Sequence, residues 1–318
     1  MELASVLEFL EDATGRGCAC VLVTVCAVEG SSMRNLGTIM GVASDGSFAG
    51  SLSGGCIENA VVSEALHVLK AGEARQVRFG AGSPYLDIKL PCGGGLDLHF
   101  QPLGEGHFVG DCIASIRGRE PFSIHIDAHG ARHVRGWHSS AFDPQTGHST
   151  FGHWPAPKLQ IIGHGAGLAA LALLGRSYGC ALRVLTPDTR LIGELGEQAI
   201  HGLSLNRTDQ TDLLLSDPWT ATVFLFHDHD WEIDLMEAAL EQPHFYLGAM
   251  GGRRAHSFRC EALSARGVTQ DRLDTIHAPI GLFHSSRDPQ TLALSALAQI
   301  IRAYQDTDFE AHFGAAHG

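Results

Sequence analysis

Several stretches of the chain bring glycine, hydroxyl, thiol and basic residues together in patterns suited to holding an anion or a soft metal. Gly30-Ser31-Ser32-Met33-Arg34 and Ser53-Gly54-Gly55-Cys56-Ile57-Glu58 come first. Hydroxyls, a guanidinium and closely approachable glycine backbone suit a phosphate, and a cysteine at a helix N-terminus has its thiolate favoured by the helix dipole. The plain alternative is two ordinary glycine turns, with Cys56 a small buried hydrophobe. Cys92, ahead of Gly93-Gly94-Gly95, repeats the theme of a thiol beside exposed amides, and a hairpin turn explains it nearly as well.

Three further clusters lie in the second half. Within IIGHGAGLAAL, Gly163, Gly165 and Gly167 sit where a strand turns into a helix, so backbone amides and the helix dipole face a candidate pyrophosphate site. The third glycine of GxGxxG falls on Leu168, which predicts looser packing of helix on strand. The acid that would bind ribose hydroxyls is replaced by Thr186, with Asp188 two residues beyond. His227-Asp228-His229-Asp230 follows the strand TVFLF, at the edge where α/β sheets bind ligands; metal binding, a helix cap and a polar cleft lining are the readings open to it. Gly251-Gly252-Arg253-Arg254 is a glycine turn with two arginines entering a helix, a second phosphate clamp or simply two solvated side chains.

The elements that must position these residues are legible from periodicity. MELASVLEFLED reads as an amphipathic helix, CACVLVTVCAVEG as a buried strand, and GTIMGVASDGSFAGSL as a hairpin with Asp45-Gly46 at its tip. Apolar spacing from Ile57 through Val61, Ala65 and Leu69 predicts a helix ended by Gly72; QVRF, LDIKL and LDLHF read as strands. FSIHIDA and ARHVRGW suit an edge hairpin continuing the first sheet and then becoming a linker. KLQIIGHGAGLAALALLGRSYGCALRVLTPD is a βαβ unit, TATVFLF and HFYLGAM are further buried strands, and QTLALSALAQIIRAY is a helix. The expected fold is therefore α/β: an N-terminal mixed α/β domain over 1–105, a hairpin extension and linker over 106–157, and a Rossmann-like doubly wound parallel sheet over 158–318.

Composition narrows the function. The 318 residues carry 44% hydrophobic content, enough for two cores, and a formal net charge of −13 that argues against a nucleic-acid surface. No apolar run suits a membrane span, and the acidic start does not suit a secretory signal, so a soluble cytoplasmic protein is expected. The eight cysteines (Cys18, Cys20, Cys26, Cys56, Cys92, Cys112, Cys180 and Cys260) show neither CxxC nor a disulfide-like framework and read as reduced thiols.

Taken in order, GSS-x-R at 30–34, SGGCIE at 53–58, CGGG at 92–95, GHGAG at 163–167, HDHD at 227–230, YLGAMGGRR at 246–254 and IHAPIGL at 276–282, with Ser295 and Gln299 on the next helix, resemble the XdhC/CoxI family of xanthine dehydrogenase accessory proteins. The sequence departs from the family pattern at Met33, where proline is usual, and at Gly252, where serine is usual. It departs again near Phe283 and Ser285, and at Thr186. The resemblance implies a chaperone rather than a catalyst. Its ligand would be the molybdenum cofactor, as molybdopterin or its dinucleotide form, to be protected, presented for sulfuration and delivered to an apo-molybdoenzyme of the xanthine dehydrogenase/aldehyde oxidase type. A cysteine desulfurase and a cofactor-biosynthesis nucleotidyltransferase would be further partners, and a homodimer is compatible. Soft thiolate chemistry near molybdenum points to Cys56 first and Cys92 second. Ser31, Ser32, Arg34, Ser53, Gly54, Gly55, Glu58 and Gly93 would hold phosphate or pterin edges. Gly163, Gly165, Gly167, Asp188, His227, Asp228, His229, Gly251 and Arg253 would receive a nucleotide part, or NAD(P). The rival readings are an NAD(P)-dependent oxidoreductase, a metal-dependent hydrolase on His227 and His229, and an assembly factor with a vestigial cleft.

Overall fold

A computed structural model describes residues 2–30, 34–55, 57–83, 93–104, 106–127, 129–283 and 287–313. Ser31, Ser32, Cys56, Cys92 and the strand expected at 86–90 lie outside the described residues. The chain divides into two compact units at Pro155/Ala156.

The first unit runs α1 (Glu2–Gly15), β1 (Cys20–Glu29), β2 (Ile39–Ala43), β3 (Phe48–Ala49), α2 (Glu58–Ala71), β4 (Arg75–Gly80), β5 (Gly95–Leu103), α3 (Phe108–Gly118), β6 (Phe122–Asp127), β7 (Gly130–Arg135), β8 (Ala141–Phe142) and β9 (Ser149–His153). Strands β3-β2-β1-β5-β4 form an antiparallel sheet. Alternation along β1 sends Val21, Val23 and Val25 to one face, where Val61, Ala65 and Val68 of α2 cover them. Cys20, Leu22 and Cys26 go to the other, against Val6, Leu7 and Leu10 of α1 and Ile124, Ile126 and Phe151. A strand buried on both faces reads as a continuous apolar run, which is how CACVLVTVCAVEG reads. Gly72, at φ 70°, ends α2 by donating its N–H to Val68 O, as the sequence predicts.

The stretch after residue 106 does not extend this sheet. It forms α3 and a second antiparallel sheet, β7-β6-β9-β8, packed on the first. The β6–β7 hairpin is as expected; the strand that pairs with β6 on its other side is β9, which sequence reading assigned to a linker.

The second unit runs β10 (Lys158–Gly163), α4 (Ala166–Tyr178), β11 (Ala181–Thr186), α5 (Thr189–Glu197), β12 (Gly202–Ser204), β13 (Thr220–Leu225), α6 (Ile233–Glu241), β14 (Tyr246–Ala249), α7 (Arg253–Ala265), α8 (Gln270–Leu273), β15 (Ile276–His277), α9 (Pro289–Asp306) and α10 (Phe309–Phe313). Its sheet is wholly parallel, in the order β12-β11-β10-β13-β14-β15. Counted from β10 this is 3-2-1-4-5-6, the Rossmann order, with the switch point between β10 and β13. Leu168, Leu171, Leu191, Ala296 and Ile300 from α4, α5 and α9 cover one face, and Met236, Leu240 and Leu263 from α6 and α7 the other. The doubly wound α/β expectation is met.

The looser packing expected from Leu168 is not seen. Leu168 is fully buried, and the close approach of α4 to the sheet occurs at Gly175, where an added Cβ would overlap Leu159. Gly167 serves a different contact, with Leu292 of α9.

Candidate functional site

In the first unit, register brings the glycine motifs to one end of the five-stranded sheet. Glu29 of β1 pairs with Gly95 of β5, so Gly30 and Gly94 lie backbone to backbone; a Cβ on Gly30 would come within 3.3 Å of Gly94 Cα. Arg78 of β4 braces the same end, donating to Glu29, to Asp97 at 2.9 Å and to Ala81 O at 2.7 Å. The chain returns there after β3, and Glu2 of α1 joins the two loops: its carboxylate accepts from Arg34 at 2.8 Å and from the Ser51 N–H at 3.0 Å.

The loop ahead of α2 is built around Glu58. Its Oε1 accepts from Ser51 Oγ (2.9 Å), Leu52 N–H (3.0 Å) and Ser53 N–H (3.0 Å), and its Oε2 from Ser53 Oγ (2.9 Å) and Ile57 N–H (3.1 Å). Burial alone would raise the pKa of this 6% exposed carboxylate, but the backbone and hydroxyl donors prevail and bring it down to about 2. Ser51 Oγ also accepts from Gly54 N–H at 3.1 Å. Gly54 and Gly55 sit at φ 76° and 107° with nothing within 4 Å of an added Cβ, so glycine is required there by conformation rather than space. Both are exposed, as is Gly93. Glu58 therefore points inward and shapes the stretch from Ser51 to Ile57, while the exposed glycine backbone is the part a ligand can reach. Arg34, read as a phosphate clamp, is engaged with Glu2.

Four of the described thiols elsewhere are muted. Burial pushes Cys26 up to about 11 and Cys112 up to about 12, and raises Cys20 and Cys260.

In the second unit, the turn from β10 into α4 has a different character. Gly163 passes so close to β13 that a Cβ would overlap the Leu225 carbonyl. Gly165, at φ 83°, is the N-cap of α4, and no side chain caps the helix. A cleft of about 390 Å³ runs along the flank of α4 beside α5, floored by Ala166, Ala169 and Ala170 and rimmed by Asp188, Arg190, Glu194 and Gln290. Asp188 caps α5, accepting from Arg190 N–H at 3.0 Å and Leu191 N–H at 3.2 Å, and buried Thr186 accepts from the Asp188 N–H at 3.2 Å.

Across the switch point, the His164 and His227 rings lie 5.8 Å apart. Phe226 and Trp231 stack at 5.9 Å and 17°, closing the base of the loop that carries His227 and Asp228. His227 and Asp228 are exposed; the backbone of His229 enters a short 3-10 turn, and its side chain is outside the description. Among the described residues no group of three or more histidine, cysteine or acidic side chains is placed to hold a metal.

Gly251, at φ 117°, and Gly252, the N-cap of α7, lead to exposed Arg253 and Arg254. Ser295 and Gln299 of α9 hold the segment after β15: Ser295 Oγ accepts from Phe283 N–H at 2.7 Å, and Gln299 Oε1 accepts from Gly281 N–H at 2.6 Å and Tyr246 OH at 2.8 Å.

Sequence reasoning passed over Glu2, Arg78, His164, Glu232 and Arg259. Glu2 looks like any first-turn acid, and Glu232 and Arg259 are 27 residues apart, so no local spacing marks them. His164 lay inside a glycine motif and carried a usable signal, because a polar ring at a strand-to-helix turn faces the ligand edge.

Among the described residues no helix is long and apolar enough to cross a membrane. Residues 13–80 match the XdhC and CoxI family, and residues 159–300 match the XdhC Rossmann domain. The chain is 32% identical over 313 residues, 96% of its length and 90% of the relative's, to the molybdenum cofactor insertion chaperone PaoD of Escherichia coli. It is 23% identical over 305 residues to the uncharacterized protein YqeB of Escherichia coli, spanning 90% of this chain and 44% of that one. A crystal structure of a xanthine dehydrogenase from Bacillus halodurans superposes with a TM-score of 0.76 at 21% identity, covering 96% of this chain and 99% of the other, which is a likeness of fold. With matches to both of its domains and this end-to-end identity to one relative, the chain belongs to the XdhC/CoxI family.

Proposed function

We propose that the protein is a molybdenum cofactor chaperone: it binds the cofactor, shields it and hands it to an apo-molybdoenzyme. The observation that carries this reading is the 32% identity, over 96% of the chain, to a molybdenum cofactor insertion chaperone. In its finer form the client is an enzyme of the xanthine dehydrogenase/aldehyde oxidase type. A cysteine desulfurase acts on the bound cofactor, a nucleotidyltransferase supplies it, and the exchange takes place in the cytoplasm.

Each group has a part that its chemistry suits. Gly54, Gly55 and Gly93 offer exposed backbone and Glu58 braces Ser51, Leu52, Ser53 and Ile57, while Cys56 is the first candidate contact to molybdenum, with Cys92 second. Ser31 and Ser32 supply hydroxyls, Ser53 gives its own to Glu58, and Arg34, steadied by Glu2, supplies a guanidinium. The dithiolene and metal are the cargo's own chemistry. In the second unit, Gly163, Gly165 and Gly167 offer the nucleotide end of a dinucleotide-form cofactor the α4 amides. His227, Asp228, His229, Gly251 and Arg253 belong to the same ligand edge, and Asp188, its carboxylate engaged in capping α5, borders it. The Rossmann strand order also favours a second reading, binding of NAD(P) in an oxidoreductase.

The deciding experiment is to produce the full chain together with cofactor biosynthesis, purify it without oxygen and weigh what co-purifies. A pterin-bearing molybdenum compound at near-stoichiometric amount is expected, falling several-fold in a folded Cys56→Ala protein. A nicotinamide nucleotide in its place, with turnover of a reducible substrate, favours the oxidoreductase. Equal cofactor in wild type and variant removes Cys56 from the site.

A further inference from the structure

The two loops that project from the ends of β13 and β14 are joined beneath the surface by a buried ion pair. Glu232, directly before α6, and Arg259, in α7, are both 0% exposed. Arg259 donates through Nε to Glu232 Oε2 at 2.6 Å and through Nη2 to Glu232 Oε1 at 3.1 Å, a two-pronged fork. The same Nη2 also donates to the Met250 carbonyl, which begins the Met250-Gly251-Gly252 turn. Gly251 lies directly over the guanidinium, where an added Cβ would come within 3.5 Å of Nη2 and 3.0 Å of the Ala255 Cβ.

Stability is a poor explanation for such a pair. Two charges withdrawn from water lose hydration that their attraction only roughly restores, and well-packed apolar replacements are often neutral or better. Hydrocarbon cannot bind a carboxylate on one loop and a carbonyl on another at fixed angles, and a guanidinium can. The loops tied in this way carry His227 and Asp228 on one side and Gly251, Arg253 and Arg254 on the other, both at the ligand edge of the sheet.

We infer that the Glu232–Arg259 pair is a positioning device: it locks the loop after β13 to the turn after β14, so that the two halves of the ligand edge are set before a ligand arrives. Neither residue touches the ligand. The Phe226–Trp231 stack closes the first loop at its base, and the ion pair fixes that base to α7. A ligand anion drawn to the start of α7 therefore meets an imidazole loop already in register, and disturbance of either loop is felt by the other.

The test uses the full chain without ligand. In a Glu232→Leu/Arg259→Met double variant the thermal midpoint is expected to stay within a few degrees of the parent. Amide exchange over 226–232 and 250–254 is expected to rise about tenfold or more, with other segments unchanged. Arg259→Lys, which keeps the charge and loses the fork, is expected to move exchange in the same direction, and it serves if the double variant does not fold. Unchanged exchange in these two segments of a folded variant overturns the inference. Affinity for ADP and CDP, the second readout, rests on the nucleotide reading above and is expected to fall about tenfold. If the parent binds neither probe that reading fails, and the exchange result still decides the role of the pair.

Discussion

Two glycine loops lead into helices in this protein, one before α2 and one before α4; neither helix is capped by a side chain, but only the first loop is gathered by an acid of its own. Before α2 the chain supplies its own anion: the Glu58 carboxylate gathers the Ser51, Leu52, Ser53 and Ile57 donors. Before α4 the N-cap is Gly165 and no side chain caps the helix. The first loop is a frame held by a carboxylate; the second has no such brace, and on the nucleotide reading proposed above it is the socket. Glycine followed by a helix is thus not one signal. What decides between frame and socket is whether an acid turns back to accept from the loop.

Three substitutions sharpen or break that contrast. The largest effect is expected from Gly163→Ala, because the obstacle is the Leu225 carbonyl of a central strand, which cannot step aside; a loss of about 3 kcal/mol in denaturant unfolding is expected. A well-folded variant would show that the socket does not depend on this close approach. Next, Glu58→Gln is expected to cost about 2 kcal/mol, since a charged acceptor of several buried donors is replaced by an amide that cannot accept them all.

The same carboxylate sets a pH dependence. Its folded pKa of about 2 lies below the reference of 4.5, so its stabilisation is present above about 4.5 and is lost as pH falls towards 2. Unfolding midpoints measured over that range should fall less steeply in the variant than in the parent. Parallel curves would mean that the frame does not rest on an ionised Glu58.

The smallest effect is expected from Asp188→Ala, which removes the α5 cap and costs about 1 kcal/mol while leaving nucleotide affinity within about threefold. A far larger loss of affinity by calorimetry would show that Asp188 grips the ligand as well as its helix, and the socket would no longer be an affair of α4 alone.

Much of this architecture is legible in the residues. The βαβ run from Lys158 to Thr186, the capped α2 and the β2–β3 hairpin follow from apolar period and turn chemistry, which are local. Strand β9 was missed because STFGH alternates weakly and lies in a segment rich in glycine, histidine and proline. It becomes a strand by pairing with β6, a tertiary effect. The site was legible as motifs but not as wiring. SGGCIE announces a thiol near a helix start, yet nothing in its letters tells whether Glu58 faces a ligand or the loop. The Glu2 bridge between Arg34 and Ser51 and the Glu232–Arg259 pair join residues far apart in sequence, and such partnerships emerge only when the sheet sets its register.

The muted thiols have a practical consequence for the chemist. An electrophile added at neutral pH attacks thiolates, and Cys20, Cys26, Cys112 and Cys260 hold their protons more tightly than free cysteine does. In alkylation of the native protein these four therefore contribute little signal. Protection of a reactive cysteine by added cargo becomes a simple mass-spectrometric footprint, with the sealed sulfurs serving as an internal standard for unfolding.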